Sequence, residues 1–375
     1  MIVSILDGEV IFFRLTDVGR SIDLRKVARI IPAIPDKNII KTKNTPSYVD
    51  FPEPLIIEIT QAISTELKSF HDIIIYIKVY SDGVISLMAR LLFTDFPHNK
   101  LHTIKKIKFK TVEGEFQINN FLKFHHDKIL NQIRDYIEEE GYIFGDTEYE
   151  KYTIFCLTKG ISNPKEFVQK EGNYFSALLN GENPNSELSQ SQIKKTLDHT
   201  FSFLKNDLAI FDFERAIIID QNSDYEDILL ATEIANYQLL ELRTLDKLLD
   251  RSLAIAEEDI RNFYFKSRRF FRRIKRKVGR LIRLHYDLLF LLENIENVSK
   301  LIGDYYLAQI YRHIAELFQL KQWSDSIRHR LETLEDIYNI TQSNSNERFL
   351  LLVEILLTFI FIMEFILLIL DFFLS

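Results

Sequence analysis

A chain of 375 residues that is 46% hydrophobic and 27% charged is long enough for two domains and too apolar to be disordered. Its net charge of −7 argues against general nucleic-acid binding by the whole molecule, DNA included. The single cysteine, Cys156, excludes an internal disulfide and any cysteine-based zinc site.

The chain begins MIVSILDGEVIFFRL, which has neither the charge pattern of a signal peptide nor that of a transit peptide, and Ile2–Leu15 reads as a first strand. A helix is expected over Ser21–Ile30, then a proline-bearing loop over Ile31–Pro54. Further strands are expected at Leu55–Thr60, Ile73–Tyr80, Val84–Phe93 and Tyr152–Leu157. Ser81-Asp82-Gly83 is a tight-turn signal that would join two of them in a hairpin. A helix over Phe121–Gly141, a helix start capped by Ser189 and a strand over Asp207–Asp220 complete a mixed α/β domain, residues 1–220.

From Asp224 the pattern becomes helical. Glycine and proline nearly vanish, and apolar residues recur at heptad spacing. One seam runs through Ile228, Ala231, Ala235, Gln238, Leu242, Leu245 and Leu249. A second runs through Phe271, Ile274, Val278, Leu281, His285, Leu288, Leu292 and Ile295. A third, less regular, uses Ile310, Ile314, Leu317, Ile327, Leu331, Leu334 and Tyr338. Three antiparallel helices over 224–345, coiled-coil-like and turning near Gly303, are the simplest reading. Gln238 and His285 are the polar positions of these seams, fit to set register.

The final run, Phe349–Leu374, is apolar all round and about 39 Å long as a helix, against a hydrocarbon core of about 30 Å. It predicts a C-terminal transmembrane helix over 348–374. The expected fold is thus α+β, with an α/β domain, a long helical segment and one span. The expected location is a membrane, single-pass, with the body in the cytoplasm. Glu354 and Glu364 lie inside that run, where a charge is costly, and mark a candidate oligomer interface.

The most basic stretch holds Arg261, Lys266, Arg268, Arg269, Arg272, Arg273 and Arg276 with no acid among them. Three readings stay open. It could meet anionic lipid headgroups, bind RNA, or pair with acids of the neighbouring helices such as Glu241, Asp246, Asp250 and Glu335. His313 and His329 lack the spacing of a metal pair, so no metal site is expected. No phosphate-loop, dinucleotide, zinc-protease or nucleophile-elbow motif occurs, so no catalytic residue or cofactor is proposed.

Asn346-Glu347-Arg348, followed by Glu354 and Glu364 in an aliphatic run, resembles the C-terminal signature of the family called required for meiotic nuclear division. Ala235-Asn236-Tyr237-Gln238-Leu239-Leu240-Glu241-Leu242-Arg243 with Asp246 and Asp250 is similar to a helix of its prokaryotic members. That resemblance implies a membrane-bound protein supporting translation of membrane proteins, with a ribosomal or membrane-protein partner and no established catalytic residues. Together these features predict a membrane-anchored, homo-oligomeric scaffold and not an enzyme. The alternative is a CorA-like ion channel subunit, against which stand the single span and the missing Gly-Met-Asn tripeptide.

Overall fold

The computed structural model describes residues 4–31, 54–138, 148–184, 186–265 and 305–374. Twelve strands occur among them: β1 Ile5–Asp17, β2 Ser21–Ile22, β3 Leu55–Ala62, β4 Phe70–Val79, β5 Val84–Pro97, β6 Lys108–Thr111, β7 Gly114–Gln117, β8 Ile137–Glu138, β9 Tyr149–Lys159, β10 Thr200–Phe201, β11 Asp207–Phe211 and β12 Arg215–Asp220. The α-helices are α1 Leu24–Ile30, α2 Ile118–Ile133, α3 Pro164–Lys170, α4 Gly172–Asn180, α5 Gln190–Leu197, α6 Glu226–Phe265, α7 Tyr305–Leu317 and α8 Leu320–Leu374. The chain divides into two units. One comprises Met1–Thr244 with Glu293–Trp323, the other Leu245–Leu292 with Ser324–Ser375.

The first unit is built on one eight-stranded sheet, ordered β10-β11-β12-β9-β1-β5-β4-β3. Every neighbouring pair in it is antiparallel except β9 and β12. β1 lies in the interior and is buried on both faces, which explains why it reads as an almost unbroken apolar run. Val10 and Phe12 point into a core shared with Phe121 and Ile129 of α2 and Phe175 and Leu178 of α4. Glu9, Ile11, Phe13, Leu15 and Asp17 point the other way, toward α6.

Local chemistry explains several boundaries. Ser21–Ile22 pairs with β8, and the Asp23 side chain then accepts the Lys26 N–H to start α1, so the expected helix over Ser21–Ile30 begins three residues late. The expected strand over Asp207–Asp220 is a hairpin of two strands. Its turn is pinned by the Tyr152 hydroxyl, which donates to the carbonyls of Asp212 (2.7 Å) and Arg215 (3.0 Å). The third expected helix is two, α7 and α8, broken where Gln319 takes a left-handed φ of 55°.

The sequence-based expectation of a membrane span needs correction. The fold is mixed α+β with a large sheet and several helices, and among the described residues no helix is long and apolar enough to cross a membrane. The apolar run is the distal part of the 55-residue helix α8 and not a separate spanning element. The readings that depended on a span are withdrawn with it: tail anchoring and a single-pass membrane location. The second expected helix, with Lys266, Arg268, Arg269, Arg272, Arg273, Arg276 and His285, lies outside the described residues.

Candidate functional site

The polar chemistry of the first unit concentrates where α6 crosses the sheet. Positions 226, 233 and 241 are seven and eight residues apart, about two turns each, so they fall on one helix face. Each meets charged groups of the sheet. At the N-terminal end, Arg90 of β5 donates Nε and Nη2 to the two oxygens of Glu9 and Nη1 to Glu226 at 2.7 Å. The Tyr225 hydroxyl donates to Glu9 Oε1 at 2.6 Å. Two turns on, Glu233 is buried and takes the Lys78 ammonium on one oxygen and the Ser86 hydroxyl on the other, the latter at 2.7 Å. Near the end of the crossing, Arg243 pairs with Glu150 at 2.6 Å.

Between Glu233 and Arg243 the pattern changes. Glu241 faces Asp17, the last residue of β1, and Asp82 of the β4–β5 turn, and all three are carboxyls. Burial and then the charges of Asp17 and Asp82 push the Glu241 carboxyl well above its ordinary range. Burial raises Asp17 to about 7, against the Gly19 N–H that its Oδ1 accepts at 3.1 Å. Burial likewise raises Asp82 to about 6. Glu241 Oε1 and Asp82 Oδ1 are buried with no hydrogen-bond partner. Three such groups cannot all ionise together, so the trio holds protons near neutral pH. Among the described residues no group of three His, Cys, Asp or Glu is arranged to hold a metal ion.

Gln238, singled out as a seam position, is buried, and its Oε1 accepts the hydroxyl of Tyr311 from α7. Arg261 lies in α6, and Glu364 lies in α8. Glu354 is exposed on α8, and its carbonyl accepts the Thr358 hydroxyl at 2.8 Å. In the second unit Arg330 of α8 reaches Asp246 (2.8 Å) and Asp250 (2.7 Å) of α6. Beyond Glu354, every large apolar side chain to Met363 is exposed, from 46% at Ile360 to 68% at Phe361.

Sequence reasoning passed over Asp17 and read Asp82 only as part of a turn. It took Glu241 as a possible ion-pair acid for the basic stretch. The available signal was a carboxyl standing inside an apolar pattern: Asp17 closing a buried strand, and Glu241 within Leu239-Leu240-Glu241-Leu242.

Residues 7–226, which include the whole eight-stranded sheet except its first two residues, match the family described as "Uncharacterized protein MJ0711, N-terminal domain". The chain is also 26% identical over 333 residues to the uncharacterized protein MJ0711 of Methanocaldococcus jannaschii, covering 88% of this chain and 89% of that protein. These matches correct the resemblance to the meiotic nuclear division family, which nothing here indicates. That resemblance leaned on the tail and on one stretch of α6. The family model instead matches the sheet domain, over more than half of the chain. The chain belongs to the MJ0711 family.

Proposed function

We propose that this chain is a non-enzymatic scaffold that assembles with further copies of itself through the distal part of α8. One observation carries the reading: the continuous exposure of the large apolar side chains from Ile355 to Met363. The stretch makes about two and a half helical turns, so its side chains point in every direction around the axis. Exposed apolar surface of this extent marks an interaction site. A single partner helix covers one side only. A bundle of three or more α8 helices covers more of that surface than one partner can, and identical copies supply identical apolar lengths in register. Glu354 would then stand in a ring at the entrance to the apolar contact and disfavour closer packing there.

Sedimentation velocity of the full chain tests this. An assembly of at least three copies is expected at micromolar concentration. Changing Leu356, Phe359 and Phe361 together to Gln should return it to a monomer with unchanged circular dichroism. A monomeric unmodified chain would overturn the reading.

A further inference from the structure

We infer that the sheet face turned away from α6 carries a binding site for a small phosphate-class anion, built by Arg14 and Lys151 around the ring of Tyr149. The two cations are paired in register on adjacent strands, Arg14 opposite Lys151 and Thr16 opposite Tyr149. Directly paired residues of an antiparallel ladder share a face, so all four side chains rise from one side of the sheet. Both charges gather on one ring. The Arg14 guanidinium carbon lies 4.5 Å from the Tyr149 centroid and the Lys151 ammonium 4.6 Å from it.

Among the described residues no carboxylate lies within ion-pair distance of Arg14 or Lys151, and Arg14 Nε is buried with no acceptor. Desolvating a guanidinium without an acceptor is costly, and burial accordingly pushes the Arg14 pKa down. Two further polar atoms wait on the same side. Thr16 is fully buried, and its hydroxyl has no partner. His126 of α2 is buried with Nε2 unpartnered, while its Nδ1 lies 3.0 Å from Asp127 Oδ1. Burial lowers the His126 pKa, with Arg14 among the charges adding to it. Asp127 is the acid that partly offsets Arg14.

A small tetrahedral dianion fits this donor set. The Arg14 fork offers parallel N–H groups to two oxygens, Lys151 adds a movable point charge, and the Thr16 hydroxyl supplies a neutral donor. A planar carboxylate would use the fork and leave the other donors idle. The half-exposed Tyr149 leaves the site open to solvent, so the phosphate can belong to the free ion or to a small monoester.

Isothermal titration calorimetry of the full chain with inorganic phosphate tests this, with chloride at matched ionic strength as control. One saturable site is expected, weakened about tenfold or more by Arg14→Gln and also weakened by Lys151→Gln. Lys68→Gln, which removes an exposed charge elsewhere in the same unit, should leave binding unchanged. Lys151 is itself exposed, so its variant keeps the test valid if Arg14→Gln fails to fold. A parallel titration with glycerol 3-phosphate separates the sources: tighter binding than inorganic phosphate assigns the site to a monoester, weaker binding to the free ion. No saturable heat, or equal loss in Lys68→Gln and Lys151→Gln, overturns the site. The outcome is independent of self-assembly through α8.

Discussion

Arg90 grips Glu9 with two parallel hydrogen bonds, Nε to Oε2 at 2.9 Å and Nη2 to Oε1 at 2.6 Å, on the buried face under α6. The same guanidinium reaches Glu226, and the same carboxylate takes the Tyr225 hydroxyl. Removing the arginine leaves a buried carboxylate with only a phenol for company. Arg90→Met should therefore destabilise the fold by about 3–5 kcal/mol, the usual cost of orphaning one partner of a buried pair. Urea unfolding followed by circular dichroism reads it. A change below 1 kcal/mol would show that Glu9 escapes to water.

The three carboxyls at the other end of the crossing act in the opposite sense. The Asp17 carboxyl rises from 3.8 to about 7 on folding, so the folded chain holds a proton that the unfolded chain releases. Its contribution to stability is complete below about pH 4 and is lost as pH rises to about 7. Asp82, raised to about 6, works in the same direction. Asp17→Asn should flatten this decline and make the variant more stable than the parent above neutrality, by roughly 1–3 kcal/mol. Melting temperatures of both proteins between pH 4 and 8 check it, and parallel curves would remove the trio as a proton store.

Gly83 holds the β4–β5 turn at φ +99°, with an added Cβ falling 1.6 Å from the Gly19 carbonyl oxygen. Gly83→Ala must strain the backbone and push that carbonyl aside. A loss of about 2–4 kcal/mol is expected in thermal unfolding. The neighbouring Asp82 should move with the turn, so the pH response described above should change as well.

Cys156 is fully buried on β9, and burial raises its thiol well above the ordinary range. A folded chain should react with a disulfide reagent only through opening. The reaction rate in buffer should be at least about a hundredfold slower than in denaturant. Rapid native labelling would mean that β9 opens locally.

The Tyr311 hydroxyl donates to Gln238, whose Nε2 is buried without a partner. Tyr311→Phe would leave the whole amide unmatched. It should cost about 1–3 kcal/mol, measurable by the same urea titration.

Much of the sheet was readable from residues alone, because strands buried on both faces stand out as apolar runs between turn signals such as Ser81-Asp82-Gly83. The heptad positions Ala231, Ala235, Leu242 and Leu249 are all buried, but so is every residue from Ala231 to Leu240, so the seam marked the helix and not its covered face. What escaped was set by pairing at long range. Asp17, Asp82 and Glu241 are remote in sequence, and only the register of β1 and the path of α6 bring them together. Arg14 and Lys151 are likewise joined by register. The hairpin of β11 and β12 was missed because Asp212-Phe213-Glu214 carries no glycine or proline, and its turn is held by a tyrosine from another strand. The tail misled because an apolar composition does not by itself make a helix that crosses a membrane.

The interior position of β1 sets an order of assembly during synthesis. Its neighbours are β5 and β9, so one edge stays bare until Pro97 has emerged and the other until Lys159 has. β12, the parallel neighbour of β9, comes some sixty residues later still. A nascent chain therefore carries an apolar strand with unpaired backbone for much of its translation. A chain halted before Tyr149 has four of the sheet's eight strands, with β1 as an open edge prone to pairing with another copy. Completion of the sheet during synthesis thus waits on where one strand sits in it.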